Sequence, residues 1–224
     1  MSQIVVVNDV QVELLDNGEL RYEAGAQIDA DGAGNCYAPY HAPLRGLDSV
    51  RNAFNQVDDD IDLDGNPVHG WGGGVVKGAD GQPLIQASGP YAGFYLSPTA
   101  LQDHGMPVDD YRRYVDAAQI PYISIPPALE QLGVKLGDAA LAADRDTGRS
   151  IQCVVADIGP HRRLGEVSIA CAAAIGIPAN PRNGGAGKGV LVRIFRGSAK
   201  APAWDWRRSA ADVAAFVDAF ASQA

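Results

Sequence analysis

Frequent glycines and prolines divide this chain into short segments, and this spacing limits its possible folds more than any other sequence feature. The 224 residues include 26 glycines and 14 prolines, spread along the whole sequence. Both residue types interrupt helices, so a coiled coil or a bundle of long helices is excluded. Short apolar runs between frequent turns are typical of small barrels and sandwiches. The sequence therefore predicts a mostly β fold, a β-barrel with short helices and inserted loops.

Apolar runs mark the predicted strands. Residues 4–7 form one run, and residues 11–21 alternate around an Asn17-Gly18 turn, which predicts a hairpin. In the second half of the chain, four such runs follow one another with short connections, and this spacing indicates the barrel. The remaining predicted strands are residues 70–76, 83–87, 93–97, 122–125, 139–144, 150–156 and 189–195.

Three helices are expected among these strands. Residues 47–56 provide one or two turns, and the Ala-rich segment 167–177 ends at a Gly and a Pro. Residues 207–222 form the C-terminal helix, in which Ser209 is the cap and Asp212 occupies the third position. No segment has the composition of a linker, so the prediction is a single domain over residues 1–224.

The charge balance limits the classes of partner. Lys and Arg number 18 against 27 Asp and Glu, which leaves a net charge of -9. Because phosphate binding needs clustered Lys and Arg, we expect no nucleic-acid partner, and the acidic balance suits a polycation. No run approaches the roughly 18 apolar residues of a membrane span, and the first residues lack a signal-peptide pattern. We expect no membrane partner and a protein that is cytoplasmic as made, exported, if at all, by a non-classical route.

Metal-binding patterns are incomplete in this sequence. Cys36, Cys153 and Cys171 are an odd number without CxxC spacing, so we expect buried thiols rather than disulfides or a zinc site. Residues 60–65 match the first half of a calcium loop, but Trp71 stands where the bidentate Glu belongs. The acidic loop 58–64 is therefore either a calcium site or a solvated loop, and no metal enters the prediction.

Two carboxylates stand out in the second half of the chain. Asp157 follows an apolar strand-like run, and Glu166 precedes the Ala-rich segment, where a helix dipole would stabilise its ionised form. Two carboxylates in unlike environments suit a general acid and a general base. The alternative is that Asp157 opens a turn and Glu166 only complements the helix dipole.

The chain resembles glycoside hydrolase family 75, the fungal-type chitosanases and their bacterial relatives. The AspxGlyPro motif at Asp157 and the GlyGluxSerIle motif at Glu166 are the most specific part of the likeness, which spans residues 27–197. Residues 27–32, 93–101, 114–116 and 120–123 carry the rest.

This resemblance implies an inverting hydrolase whose catalytic pair is Asp157 and Glu166. Inversion needs one carboxylic acid and one carboxylate ~6.5–9.5 Å apart, with a water between them, and requires no metal or cofactor. We expect Asp157 to be the acid and Glu166 the base. The implied substrate is chitosan, a β-1,4-linked amino-sugar polymer.

The order of elements also resembles a double-psi β-barrel, as in lytic transglycosylases and small endoglucanases. Those relatives place a catalytic Asp at the equivalent strand end, so the likeness makes peptidoglycan the second substrate, cleaved by a cell-wall enzyme or a delivered effector. A third possibility is a polysaccharide-binding protein without turnover.

Further residues are candidates for contact with the polysaccharide. Aromatic rings can stack on the apolar faces of sugars, although such residues are more often part of a core. Acidic residues could bind cationic sugars, although an AspxAspGly sequence is equally typical of a turn. The predicted substrate-binding residues are Asp29, Asp31, Trp71, Tyr95, Asp116, Tyr122 and His161.

Overall fold

The protein consists of two compact units in a computed structural model that describes residues 2–159, 163–199 and 209–221. The barrel unit comprises Met1–Asp29 and Ala117–Ala224, and the inserted unit comprises Ala30–Asp116. The sequence alone predicts one domain, because no linker-like segment marks either boundary.

All eight strands of the described residues belong to the barrel unit: β1 (Gln3–Val7), β2 (Val10–Leu14), β3 (Glu19–Asp29), β4 (Tyr122–Ile125), β5 (Ala139–Asp144), β6 (Ser150–Ile158), β7 (Glu166–Ser168) and β8 (Ala186–Phe195). Six of them form a closed ring in the order β3-β7-β4-β6-β5-β8, because β8 also pairs with β3. The pairs β3–β7 and β4–β6 are parallel, and the other pairs are antiparallel.

This ring confirms the predicted β-barrel with short helices. Its core consists of β-branched, leucine and alanine side chains, with Leu20, Ile123 and Val155 among those fully buried. Burying one such side chain contributes about 1.5–3 kcal/mol, so the core supplies the main driving force for folding. The predicted hairpin is also present, since β2 and β3 are antiparallel and Gly18 adopts φ +88° in the turn.

Three short α-helices accompany the barrel strands: α1 (Pro127–Gln131), α2 (Ile169–Ile175) and α3 (Ala210–Ala221). The α2 helix begins after Ser168, whose side chain accepts from Cys171 N, and it ends at Gly176 in the left-handed conformation. Ser209 caps α3 as predicted, and its backbone N–H donates to Asp212 Oδ2 at 2.9 Å. No helix in the described ranges is long and apolar enough to cross a membrane.

The inserted unit is built from turns rather than strands. It contains two 3-10 helices, Val50–Ala53 and Tyr111–Arg113, and the first lies inside the predicted helical segment 47–56. The predicted strands 70–76, 83–87 and 93–97 are wrong, since each contributes isolated bridges only, such as Ile85 to Tyr95. Glycines and prolines end each pairing before a ladder can develop.

A buried ion pair joins the two strands that close the barrel. Glu19 on β3 is almost wholly buried and accepts hydrogen bonds from Arg193 on β8 at 2.5 and 3.0 Å. Arg21, two residues along β3, binds the same carboxylate. The two arginines are directly opposite each other in the β3–β8 register, so the shared Glu19 carboxylate offsets the repulsion between two facing cations.

Candidate active site

Three strands bring the predicted catalytic pair into one row. Ser124 on β4 is the Cα partner of Asp157 on β6 and also the partner of Glu166 on β7. Adjacent strands are ~4.8 Å apart, so the Cα atoms of Asp157 and Glu166 are about 9–10 Å apart. Paired residues project from the same face of a sheet. Both carboxylates therefore flank the Ser124 side chain.

A β-bulge sets the direction of Asp157. Val155 pairs with Ile123, but the next residue of β4, Ser124, pairs with Asp157, so β6 carries one extra residue at this point. The extra residue turns Asp157 to the side of Ser124. The strand continues to Ile158, beyond the predicted end at residue 156, and Asp157 is half-buried near its end.

Glu166 occupies a different element from the one predicted. It is the first residue of β7, and Ser168, not Glu166, caps the helix that follows. The prediction that a helix dipole stabilises Glu166 is therefore wrong, because two strand residues separate it from the helix. Its carboxylate instead lies against Gly159, where a Cβ would overlap an oxygen of Glu166. Gly159 follows Asp157 by two residues, so the Glu166 carboxylate reaches across β4 towards Asp157.

Asp29 is the third carboxylate of this region. It is the last residue of β3 and is buried, and Ser124 Oγ donates to its Oδ2 at 2.5 Å. Carboxylate oxygens of Asp29 and Asp157 lie within 4.8 Å of each other. Asp29, predicted as a substrate contact, is thus a neighbour of Asp157.

The predicted aromatic residues lie among the buried residues of the two units. Trp71 and Tyr95 are buried in the inserted unit, where Trp71 packs edge to face against Phe54 and Tyr95. Tyr122 is fully buried in β4. These three rings are core residues in the structure and present no face for a sugar. His161 lies outside the described residues.

Asp31 and Asp116 belong to the inserted unit. Asp31 accepts a hydrogen bond from Ser97 Oγ at 2.8 Å. Burial, and then the negative charge of Asp116, raise the pKa of Tyr91. In the acidic loop, Asp62 accepts from the backbone N–H groups of Asp64 and Asn66 at 3.0 and 2.8 Å, which is a turn arrangement.

Sequence reasoning missed Ser124. It is the polar residue in a strand of otherwise buried tyrosine and isoleucine, and it has 1% exposure. A hydroxyl in a fully buried strand needs a partner, so this position was a signal that could have been used. Its partner, Asp29, lies 95 residues earlier in the chain.

The chain matches no protein-family model and no curated protein sequence. The resemblance to glycoside hydrolase family 75 stays a prediction.

Proposed function

We propose that the protein is an inverting endo-glycoside hydrolase that cleaves a β-1,4-linked amino-sugar polymer. The observation that carries this proposal is the row Asp157–Ser124–Glu166 across three adjacent strands. The two Cα atoms are about two strand spacings apart, and an inverting pair needs ~6.5–9.5 Å between its carboxyl groups to hold a glycosidic bond and a water.

The proposed chemistry is a single displacement. Asp157 protonates the leaving glycosidic oxygen, and Glu166 removes a proton from a water that attacks the anomeric carbon from the opposite face. The acid role falls to Asp157 because the Asp29 carboxylate lies within 4.8 Å, and a neighbouring like charge disfavours a second negative charge. The hydrogen bond from Ser124 holds Asp29 in this position.

Two polymers are candidate substrates. Chitosan follows from the family resemblance, and its cationic residues suit the net charge of -9. Peptidoglycan follows from the barrel architecture and is supported by Arg163, which lines a cavity together with Glu166. Both are β-1,4-linked chains that contain amino sugars.

Release of new reducing ends tests the proposal. The wild-type protein should release them from chitosan or peptidoglycan, and Asp157→Asn and Glu166→Gln should each lower turnover by at least about 100-fold. The matched controls are Asp146→Asn and Glu130→Gln, which neutralise exposed carboxylates of the same unit. Near-full activity of either site variant would refute the assignment, and binding without release would indicate a polysaccharide-binding protein.

A further inference from the structure

A cavity of about 340 Å³ opens beside Glu166 in the barrel unit. It lies on the β3 and β8 side of β7, whereas Asp157 lies on the opposite side, across β4. Small-molecule pockets begin at ~300 Å³, so this cavity has room for about one sugar ring. A ring bound here would be next to the bond that Glu166 and Asp157 flank.

Gly25, Gly165 and Gly187 form part of the cavity wall. Gly165 adopts φ +94°, and a Cβ there would overlap the carbonyl oxygen of Gly25, which sits at a bulge of β3. At Gly187, in contrast, a Cβ would meet nothing within 4 Å. Where backbone without a side chain borders a cavity, a ligand can occupy the space that a side chain would fill.

Arg163 gives the cavity its chemical character. Its exposed side chain lines the cavity, and it forms no ion pair with any described residue, although Glu166 is three residues away. A guanidinium that pairs with no described side chain is suited to bind a carboxylate with two parallel hydrogen bonds. An ammonium group, as in chitosan, would be repelled by it.

The cavity continues into a larger groove. Gly25 and Gly187 line both the cavity and a groove of about 900 Å³. The cations of this groove are Arg21, Lys188 and Arg193, and its acids are Glu13 and Glu23, of which Glu23 is paired with Arg145. The groove offers space for further residues of a polymer beyond the first ring.

From these features, and resting on the function proposed above, we infer that the cavity is a sugar subsite and that Arg163 binds a carboxylate on the bound sugar. The substrate is then a polymer in which amino sugars and carboxylate-bearing sugars occur together. Two groups provide that carboxylate: the lactyl group of a muramic acid residue that carries no stem peptide, and the C6 acid of a uronic acid residue.

Calorimetry with soluble disaccharides tests this inference without turnover. The probes are N-acetylglucosaminyl-N-acetylmuramic acid, its neutral methylamide, a glucuronic acid–N-acetylglucosamine disaccharide and chitobiose. The wild type should bind at least one acidic probe about tenfold more tightly than the neutral probes. The acidic probe that binds more tightly identifies the source of the carboxylate.

Two variants test separately how the Arg163 guanidinium and the open space of the cavity contribute to binding. Arg163→Gln should abolish the preference for acid over methylamide, whereas Arg149→Gln, an exposed arginine before β6, should keep it. Gly187→Phe should weaken the binding of every probe by about tenfold or more, because the phenyl ring would occupy the space where cavity and groove meet. Gly73→Phe is its control in the inserted unit, where a Cβ also meets nothing within 4 Å.

The outcomes of these experiments test the proposed sugar subsite and the proposed hydrolase activity separately. Equal affinity for the acid and its methylamide, an unchanged preference in Arg163→Gln, or no binding at millimolar concentration would overturn the inference. In the last case, reducing-end release abolished by Asp157→Asn would still support the hydrolase. Carboxylate-selective binding without reducing-end release would retain the subsite and reject the proposed reaction.

Discussion

Replacing Glu19 with glutamine should destabilise the barrel, and the loss should depend on pH. Burial alone would raise the pKa of Glu19, but hydrogen bonds and charge from Arg193 and Arg21 lower it from 4.5 to about 2. That difference corresponds to about 3 kcal/mol of stability. The two arginine side chains are 39% and 45% exposed, so solvent screening reduces the figure to about 1–2 kcal/mol at pH 7.

The sign of the pH dependence follows from the lowered pKa. A carboxyl group with a lower pKa in the folded state stabilises fully above its unfolded value and loses this contribution as it is protonated. The stability difference between wild type and Glu19→Gln should therefore be largest above pH 4.5 and shrink as the pH falls towards 2. Added salt should raise the stability of the variant, because Arg21 and Arg193 would then face each other without Glu19.

Urea denaturation followed by circular dichroism at pH 7, 4 and 3 measures this difference. Glu130→Gln, which neutralises an exposed carboxylate on α1, is the control and should match the wild type at every pH. Equal stability of Glu19→Gln and wild type at pH 7, or the same difference at pH 7 and pH 3, would refute the reasoning.

Two further predictions concern the barrel wall and the thiols. Gly165→Ala should cost about 3 kcal/mol or more, measured by thermal denaturation, because φ is +94° and the new Cβ would overlap the Gly25 carbonyl; a melting temperature equal to that of wild type would contradict this. Cys36, Cys153 and Cys171 are buried free thiols, so a disulfide-exchange reagent should label none of them in the native protein and all three in urea. Stoichiometric labelling of the native protein would disprove the burial.

The strands of the barrel could be predicted where the apolar pattern of the sequence matches the burial of the strand. The predicted strands 122–125 and 139–144 match β4 and β5 at both ends, because continuous apolar runs between Pro and Gly turns suit strands buried on both faces. The same rule failed in the inserted unit. There the apolar residues pack as a core of loops, as Phe54 and Trp71 do, without a continuous ladder.

The site was predictable in its residues and not in its geometry. Asp157 and Glu166 came from a motif, but a three-residue strand before an Ala-rich helix has no periodicity of its own, so Glu166 was placed at the helix start. The bulge in β6 and the pairing of Ser124 with Asp29 depend on strand partners distant in sequence. Local patterns carry no information about such partners.

The pairing of β3 with β8 determines the order in which parts of this protein can fold during synthesis. Glu19 pairs with Phe195, so the ring cannot close until residue 195 has left the ribosome. Residues 30–116 emerge much earlier and have their own buried aromatic cluster around Trp71. Such distant pairing forms slowly, and nascent chains that lack β8 expose open edges of β3 and β5. The barrel is therefore the part of this protein most dependent on slow, protected maturation, and chains that end before residue 186 should aggregate.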